Sequence, residues 1–234
     1  LRVFLAEGAG LDEVLLRPLE VAVEEQLLPF LEQGADALVG GDLTDRLLRQ
    51  ARSHLQGTTP LVRLQAEALP LSSASRDVIV CYEALYFFED AGKFLAECRR
   101  VLAPQGHLLL CSVNPEWPEF NPNPHGRRYY SVRDLSALLR ESGFQPEFFG
   151  AFPVAPASIS AAGLSWIKRL AVRWRLIPSS MAGKRVLKRL FLGKLVPFPA
   201  AVTEDMAVYA PPVSISSEQP AISHKILFAV GRPP

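Results

Sequence analysis

The sequence predicts an α/β protein built on a doubly wound, mostly parallel sheet, with a basic helical insertion before the last strand. Three observations carry this reading. Through the first 150 residues, short apolar runs alternate with helix-like stretches, the rhythm of a parallel sheet with helices on both faces. Two of those runs, DVIVCY at 77–82 and HLLLCSV at 107–113, are unbroken rather than alternating, as strands covered on both faces are. Residues 151–203 then contain nine basic residues and no acidic one, a change of texture that sets this stretch apart.

Taken in order, RVFLA at residues 2–6 reads as a first strand ending in the turn-like cluster Glu7-Gly8-Ala9-Gly10. Residues 12–33 read as helical, with Leu19, Val23, Leu27 and Phe30 on one face; Pro18 and Pro29 kink or divide the stretch, and Gly34 ends it. ALVGG at 37–41 is a second strand closed by Asp42, and Thr44 caps a helix running to Ser53. A short third strand follows at 61–64, a fourth at 77–82, a helix at 93–102 stopped by Pro104 and Gly106, and a fifth strand at 107–113. Residues 132–141 form a helix ended by Gly143, and 144–149 an edge-like strand. Beyond residue 150, two basic helical pieces are expected at 164–176 and 184–192, and SHKILFAV at 223–230 reads as a final strand rejoining the sheet. The domain reading is therefore a core over 1–150, a basic insertion or lid over 151–222, and a last strand over 223–234.

Bulk properties narrow the function. A net charge of +1 gives no global reason for nucleic-acid binding, and an apolar content of 49% fits a packed domain. Cys81, Cys98 and Cys111 are an odd number without short paired spacing, which argues against a disulfide framework and against a metal site. No secretory leader and no stretch long enough to span a bilayer is visible, so a cytoplasmic location is expected. In the basic stretch, Trp166, Ile167, Leu170, Trp174 and Phe191 interleave with the charges up to Lys194. That pattern suggests contact with an anionic membrane surface, hence a peripheral location, or a lid over a phosphorylated acceptor. Nucleic acid is the poorer match, and oligomeric state cannot be read.

In a doubly wound sheet, ligands bind beyond the carboxyl ends of the strands, and three stretches at such ends resemble one family. The first is ALVGGDLT at 37–44, where Asp42, followed by Leu43, is suited to accept hydrogen bonds from ribose hydroxyls; nicotinamide cofactors use the same device. The second is Gln65-Ala66-Glu67-Ala68-Leu69-Pro70-Leu71 leading into the strand at 77–82. The third runs from Tyr82-Glu83-Ala84 through the helix to Arg100-Val101-Leu102-Ala103-Pro104-Gln105-Gly106. Together they resemble the class I S-adenosylmethionine-dependent methyltransferases over residues 37–149, a Rossmann-like family.

The resemblance implies S-adenosylmethionine as cofactor. Asp42 and Leu43 would then sit at the ribose, and Gln65 and Ala66 at the adenine, Gln65 standing where the family carries Asp. Tyr82 and Glu83 would close the pocket, and Glu7, Gly8 and Gly10 would approach the methionine end. The glycine loop departs from the family pattern: Phe4 stands where an acid belongs and Ala6 where the first glycine belongs, and 32 positions separate Gly10 from Asp42. A second register, with 14–17 as the strand, restores the spacing but leaves a loop without glycine. His125, in the proline-stiffened NPNPHG loop after the fifth strand, and Tyr130 are the candidates for acid–base work on a small-molecule acceptor. A non-catalytic binding or scaffold protein that has lost the cofactor is the alternative.

Overall fold

A computed structural model describes residues 3–7, 37–54, 59–154 and 210–234, with only the backbone of 3–7, 37 and 54. Among these, the strands are β1 (Val3–Glu7), β2 (Ala37–Asp42), β3 (Leu61–Arg63), β4 (Arg76–Tyr82), β5 (Leu102–Val113), β6 (Gln145–Pro153), β7 (Val213–Ser214) and β8 (His224–Arg232). The helices are α1 (Asp45–His54), α2 (Ala91–Val101) and α3 (Val132–Glu141), with a 3-10 turn at Leu85–Phe87. The strands form one sheet in the order β3-β2-β1-β4-β5-β8-β6-β7.

The α/β class is as the sequence predicts, but the strand directions are more mixed than expected. β2–β3 and β4–β5 are parallel pairs, whereas β1 runs antiparallel to both β2 and β4, and β8 runs antiparallel to both β5 and β6. An apolar run such as VFLAE satisfies a central position in either direction, because burial constrains side-chain type and not chain polarity. The final strand rejoins the sheet as expected, inserted between β5 and β6. β6 continues through the boundary expected at residue 150, and both basic helical pieces lie outside the described residues.

The core explains why α2 and α3 form where they do. Phe94, Leu95, Cys98 and Val101 on α2 and Val132, Leu135 and Leu139 on α3 are buried against alternate residues of the sheet, Ile79 and Cys81, Leu108 and Leu110, Leu227 and Ala229. The helical and strand periods thus meet on one face. Asp90 caps α2 by accepting from Lys93 N at 3.0 Å, and Ser131 caps α3 by accepting from Asp134 N at 3.1 Å. Gly143, at φ +81°, ends α3 in the left-handed conformation.

Gly106 is required for a different reason. A Cβ there would lie 2.9 Å from the carbonyl oxygen of Asp77 and 3.1 Å from that of Ala103, so only glycine lets the start of β5 close on β4. All three cysteines are free and buried. His107 is buried and accepts from Arg232 Nε at 3.2 Å. Arg232 also pairs with Glu147 at 2.7 Å.

Candidate active site

At the carboxyl ends of β2 and β3 the chain leaves a cavity of about 310 Å³, lined by Gly41, Asp42, Leu43, Thr44, Leu47, Leu64, Gln65, Ala66, Glu67, Phe87, Phe88, Glu89 and Arg127. Asp42 is buried at its base, 7% exposed, the last residue of β2. Its Oδ1 accepts from Thr44 N at 2.7 Å, which ties the carboxylate to the chain entering α1. Among the described residues nothing donates to Oδ2, so that oxygen is available to a ligand hydroxyl. Leu43 projects at the mouth, 61% exposed. An apolar side chain so placed suits the face of a planar ring.

The opposite wall is the turn after β3. Ala68 N donates to Gln65 O at 3.1 Å, closing a tight turn that presents Gln65 and Ala66 to the cavity. Gly41 shapes the floor: a Cβ there would sit 2.5 Å from Leu64 Cδ2, so glycine leaves room for Leu64, itself part of the lining. The far side is half-buried Phe87 and Phe88, with Glu89 N donating to Glu67 Oε1 at 3.0 Å. Arg127 reaches in from the loop after β5 and lies 3.6 Å from Glu89. A buried carboxylate, an amide and a main-chain turn beside it and apolar planar walls form a donor and acceptor set that fits a nucleoside.

Tyr82 and Glu83 lie directly after this wall, at the end of β4, and do not line the cavity. Glu83 takes φ +50°, costly for a residue with a Cβ and held there by its surroundings. Its N–H donates to Cys111 O at 2.9 Å, its Oε2 accepts from Tyr86 Oη at 2.8 Å, and Cys111 Sγ donates to Oε1 at 3.9 Å. Burial pushes the Cys111 thiol pKa well up, and the neighbouring Glu83 carboxylate adds to this. Glu83 is thus the link that fixes the 3-10 turn carrying Phe87.

The structure separates the remaining candidates. Glu7 pairs with Ala37, while Val3 pairs with Gly41. The antiparallel direction of β1 therefore puts Glu7 at the amino end of β2, beside Ala37 and five residues along the strand from Asp42. The strand polarity thus places Glu7 away from the Asp42 edge. Gly8 and Gly10, and the alternative register at 14–17, lie outside the described residues. Among the presumed acid–base pair, His125 is exposed, its N–H bound to Asn123 Oδ1 at 2.9 Å. Tyr130 is buried in the main core with Arg128 over its ring at 4.9 Å, and burial raises its pKa. Neither lines the cavity. The aromatic that does organise this loop is Tyr129, stacked on Tyr86 at 4.8 Å.

Of Phe87, Phe88, Glu89 and Arg127, the sequence sets Phe87, Phe88 and Arg127 within the stretches 83–88 and 114–130 expected to frame the acceptor, and none of the four as lining of this cavity. The signal was present for the first three, which follow Glu83 in the same post-strand segment; Arg127 comes from a loop whose docking, through Arg127 N to Tyr86 O at 2.7 Å, no local pattern encodes.

Comparison with known proteins bears on the matched segment. Residues 21–110 match the family described as a methyltransferase domain. That segment is a domain of the class I S-adenosylmethionine-dependent methyltransferase type. It is 30% identical over 135 residues to a probable S-adenosylmethionine-dependent methyltransferase of Mycolicibacterium smegmatis, covering 50% of this chain and 52% of that one. It is 32% identical over 113 residues to the malonyl-[acyl-carrier protein] O-methyltransferase of Methylococcus capsulatus, covering 44% and 41%. The YcgJ protein of Bacillus subtilis has a similar fold, with a TM-score of 0.55 at 16% identity over 89% of this chain and 88% of that one. The methyltransferase segment of the chain contains Asp42, Gln65 and Gly106, and the chain spans about half the length of the curated relatives it matches. S-adenosylmethionine is the cofactor of this methyltransferase family.

Proposed function

We propose that this chain binds S-adenosylmethionine in the cavity at the carboxyl ends of β2 and β3 and transfers a methyl group to an oxygen or nitrogen of a small acceptor. The observation that carries the proposal is a single one: buried Asp42 shares one cavity with Gln65 and Ala66, which lie beyond the next helix and short strand in sequence. In this reading Asp42 Oδ2 accepts from a ribose hydroxyl, the Gln65 amide and the 65–68 turn meet the adenine edge, and Leu43 covers its face. Bound there, the cofactor supplies a methyl group already activated on a sulfonium, so the protein's task is mainly orientation and exclusion of water. Phe87 and Phe88 serve the second purpose. Glu83, by fixing the 3-10 turn, holds them in place.

The acceptor side is framed by residues 83–88 and the loop 114–130. His125, exposed on that loop, is the proposed proton acceptor for an acceptor hydroxyl, and Tyr130 contributes by anchoring the loop. The relatives favour an oxygen acceptor carried on a larger molecule: they include a malonyl-[acyl-carrier protein] O-methyltransferase and, in Mycobacterium ulcerans, a phthiotriol/phenolphthiotriol dimycocerosates methyltransferase, 41% identical over 94 residues. A lipid-linked or phosphorylated acceptor is the narrower form of the proposal, with residues 166–194 as its contact with an anionic surface and a cytoplasmic, peripheral location. No described helix is long and apolar enough to cross a membrane.

One observation favours the alternative of a methyltransferase fold that has lost its cofactor: the reversed β1 leaves Glu7 at the wrong edge for the methionine end. Calorimetric titration with S-adenosylhomocysteine separates the two. Binding in the micromolar range is expected, and Asp42→Ala should weaken it by at least about tenfold, since a hydrogen bond to a charged group contributes about 1.5–3 kcal/mol. No binding at millimolar ligand would reject the enzyme reading, and unchanged affinity in Asp42→Ala would reject the ribose assignment.

A further inference from the structure

The adenine-side turn is closed by Ala68 N to Gln65 O, and the run that follows it has one internal bond, Leu71 N to Leu69 O at 2.8 Å. Between Ala66 and β4 the chain runs through Leu69, Pro70 and Leu71, which lie outside the strands, and side chains of α2 tie this run to the rest of the fold. The Glu97 carboxylate accepts from Leu69 N at 2.7 Å through Oε2. Arg100 donates to Leu69 O at 2.9 Å and to Leu71 O at 2.7 Å. The two side chains are bound to each other by two further hydrogen bonds, Arg100 Nε to Oε1 at 2.8 Å and Arg100 Nη2 to Oε2 at 2.7 Å. The ion pair thereby binds both Leu69 N and Leu69 O, the latter shared with Leu71 N, and Leu69 itself is buried, 4% exposed.

The geometry is that of a fork. A guanidinium offers several donors in a fixed plane and can bind a carboxylate and two carbonyls at once; a lysine cannot. Because Glu97 and Arg100 sit one turn apart on α2, whose apolar face is locked into the core, the fork is pre-organised by helix packing. The hydrogen bond from Arg100 lowers the Glu97 pKa, in keeping with a carboxylate that stays charged in its working state.

We infer that the Glu97–Arg100 pair is a positioning device for the nucleoside site: it fixes the 65–71 segment, and through it the placement of Gln65 and Ala66, without touching the ligand. The inference rests on the cavity being the nucleoside site, and its physical part does not. Arg100 is the arginine of the Arg-Val-Leu-Ala-Pro-Gln-Gly run, so the same run supplies a side chain for the turn and, in Gly106, a close approach for β5.

The test compares wild type, Arg100→Ala, Arg100→Lys and Arg232→Ala. The last removes an ion pair of similar exposure at the other end of the sheet. Two quantities are read for each: the dissociation constant for S-adenosylhomocysteine, and the amide hydrogen-exchange protection of residues 65–71. Arg100→Ala should raise the dissociation constant about tenfold and lose protection at Leu69, with Arg100→Lys recovering only part of both. Arg232→Ala should lower the melting temperature and leave both readouts in place. Unchanged protection in Arg100→Ala overturns the inference outright. Lost protection with unchanged affinity, or equal weakening by Arg232→Ala, overturns its functional half while the binding site stands. If wild type binds no ligand, the site assignment falls and the functional half with it, while exchange still decides whether the fork holds the turn.

Discussion

The segment 65–113 and the strand β1 are built by opposite logics. In the first, each unusual residue has a contact that requires it: Gly106 leaves room for a carbonyl, Arg100 and Glu97 bind the main chain of a neighbouring turn, and Asp90 caps the helix between them. In β1, five residues pair with β2 on one side and with β4 on the other. Pairing fixes position but not the direction that a ligand loop needs. The comparison teaches that side-chain contacts specify the first segment residue by residue, whereas strand pairing places the backbone of the second.

The sharpest way to break this contrast is Leu5→Pro. Leu5 pairs with Val39 on one side and Ile79 on the other, so proline removes a ladder donor from a central strand and should cost about 3 kcal/mol or more. Denaturant unfolding measures it; a loss below about 0.5 kcal/mol would mean that β1 is not central. A smaller effect is expected of Gly106→Ala, where the new methyl group meets backbone rather than a flexible side chain. Overpacking of this kind costs about 1–3 kcal/mol, visible in the same assay, and no loss at all would remove the steric account of this glycine.

The smallest effect concerns pH. The Glu97 pKa in the folded chain lies below its ordinary 4.5. The stability this pair supplies is therefore fully present above about pH 4.5 and is lost as pH falls through the lowered value. Melting temperatures of wild type and Glu97→Gln should differ at pH 7 and converge on acidification. A gap that persists in acid would show that Glu97 acts through packing and not through its charge.

What the sequence makes legible follows the same division. Asp42 could be found because an acidic residue closing an apolar strand is a local pattern, and the α2–β5 segment because its cap, periodicity and glycine lie within seventeen residues of one another. The direction of β1 could not, since VFLAE reads alike both ways. Nor could the partners of Arg100, which are main-chain atoms 29 and 31 residues away. Nor could the burial of Tyr130, which packs into the core just before α3 begins.

The position of β8 carries a consequence for how the molecule is made. Its partners β5 and β6 leave the ribosome well before it, and until residues 224–232 arrive each offers an open edge of hydrogen-bonding groups beside apolar side chains. Open edges of that kind invite pairing with a neighbouring chain. A nascent or truncated chain lacking this strand should therefore depend on chaperones to stay unassociated, and completion of the sheet would be the event that releases it.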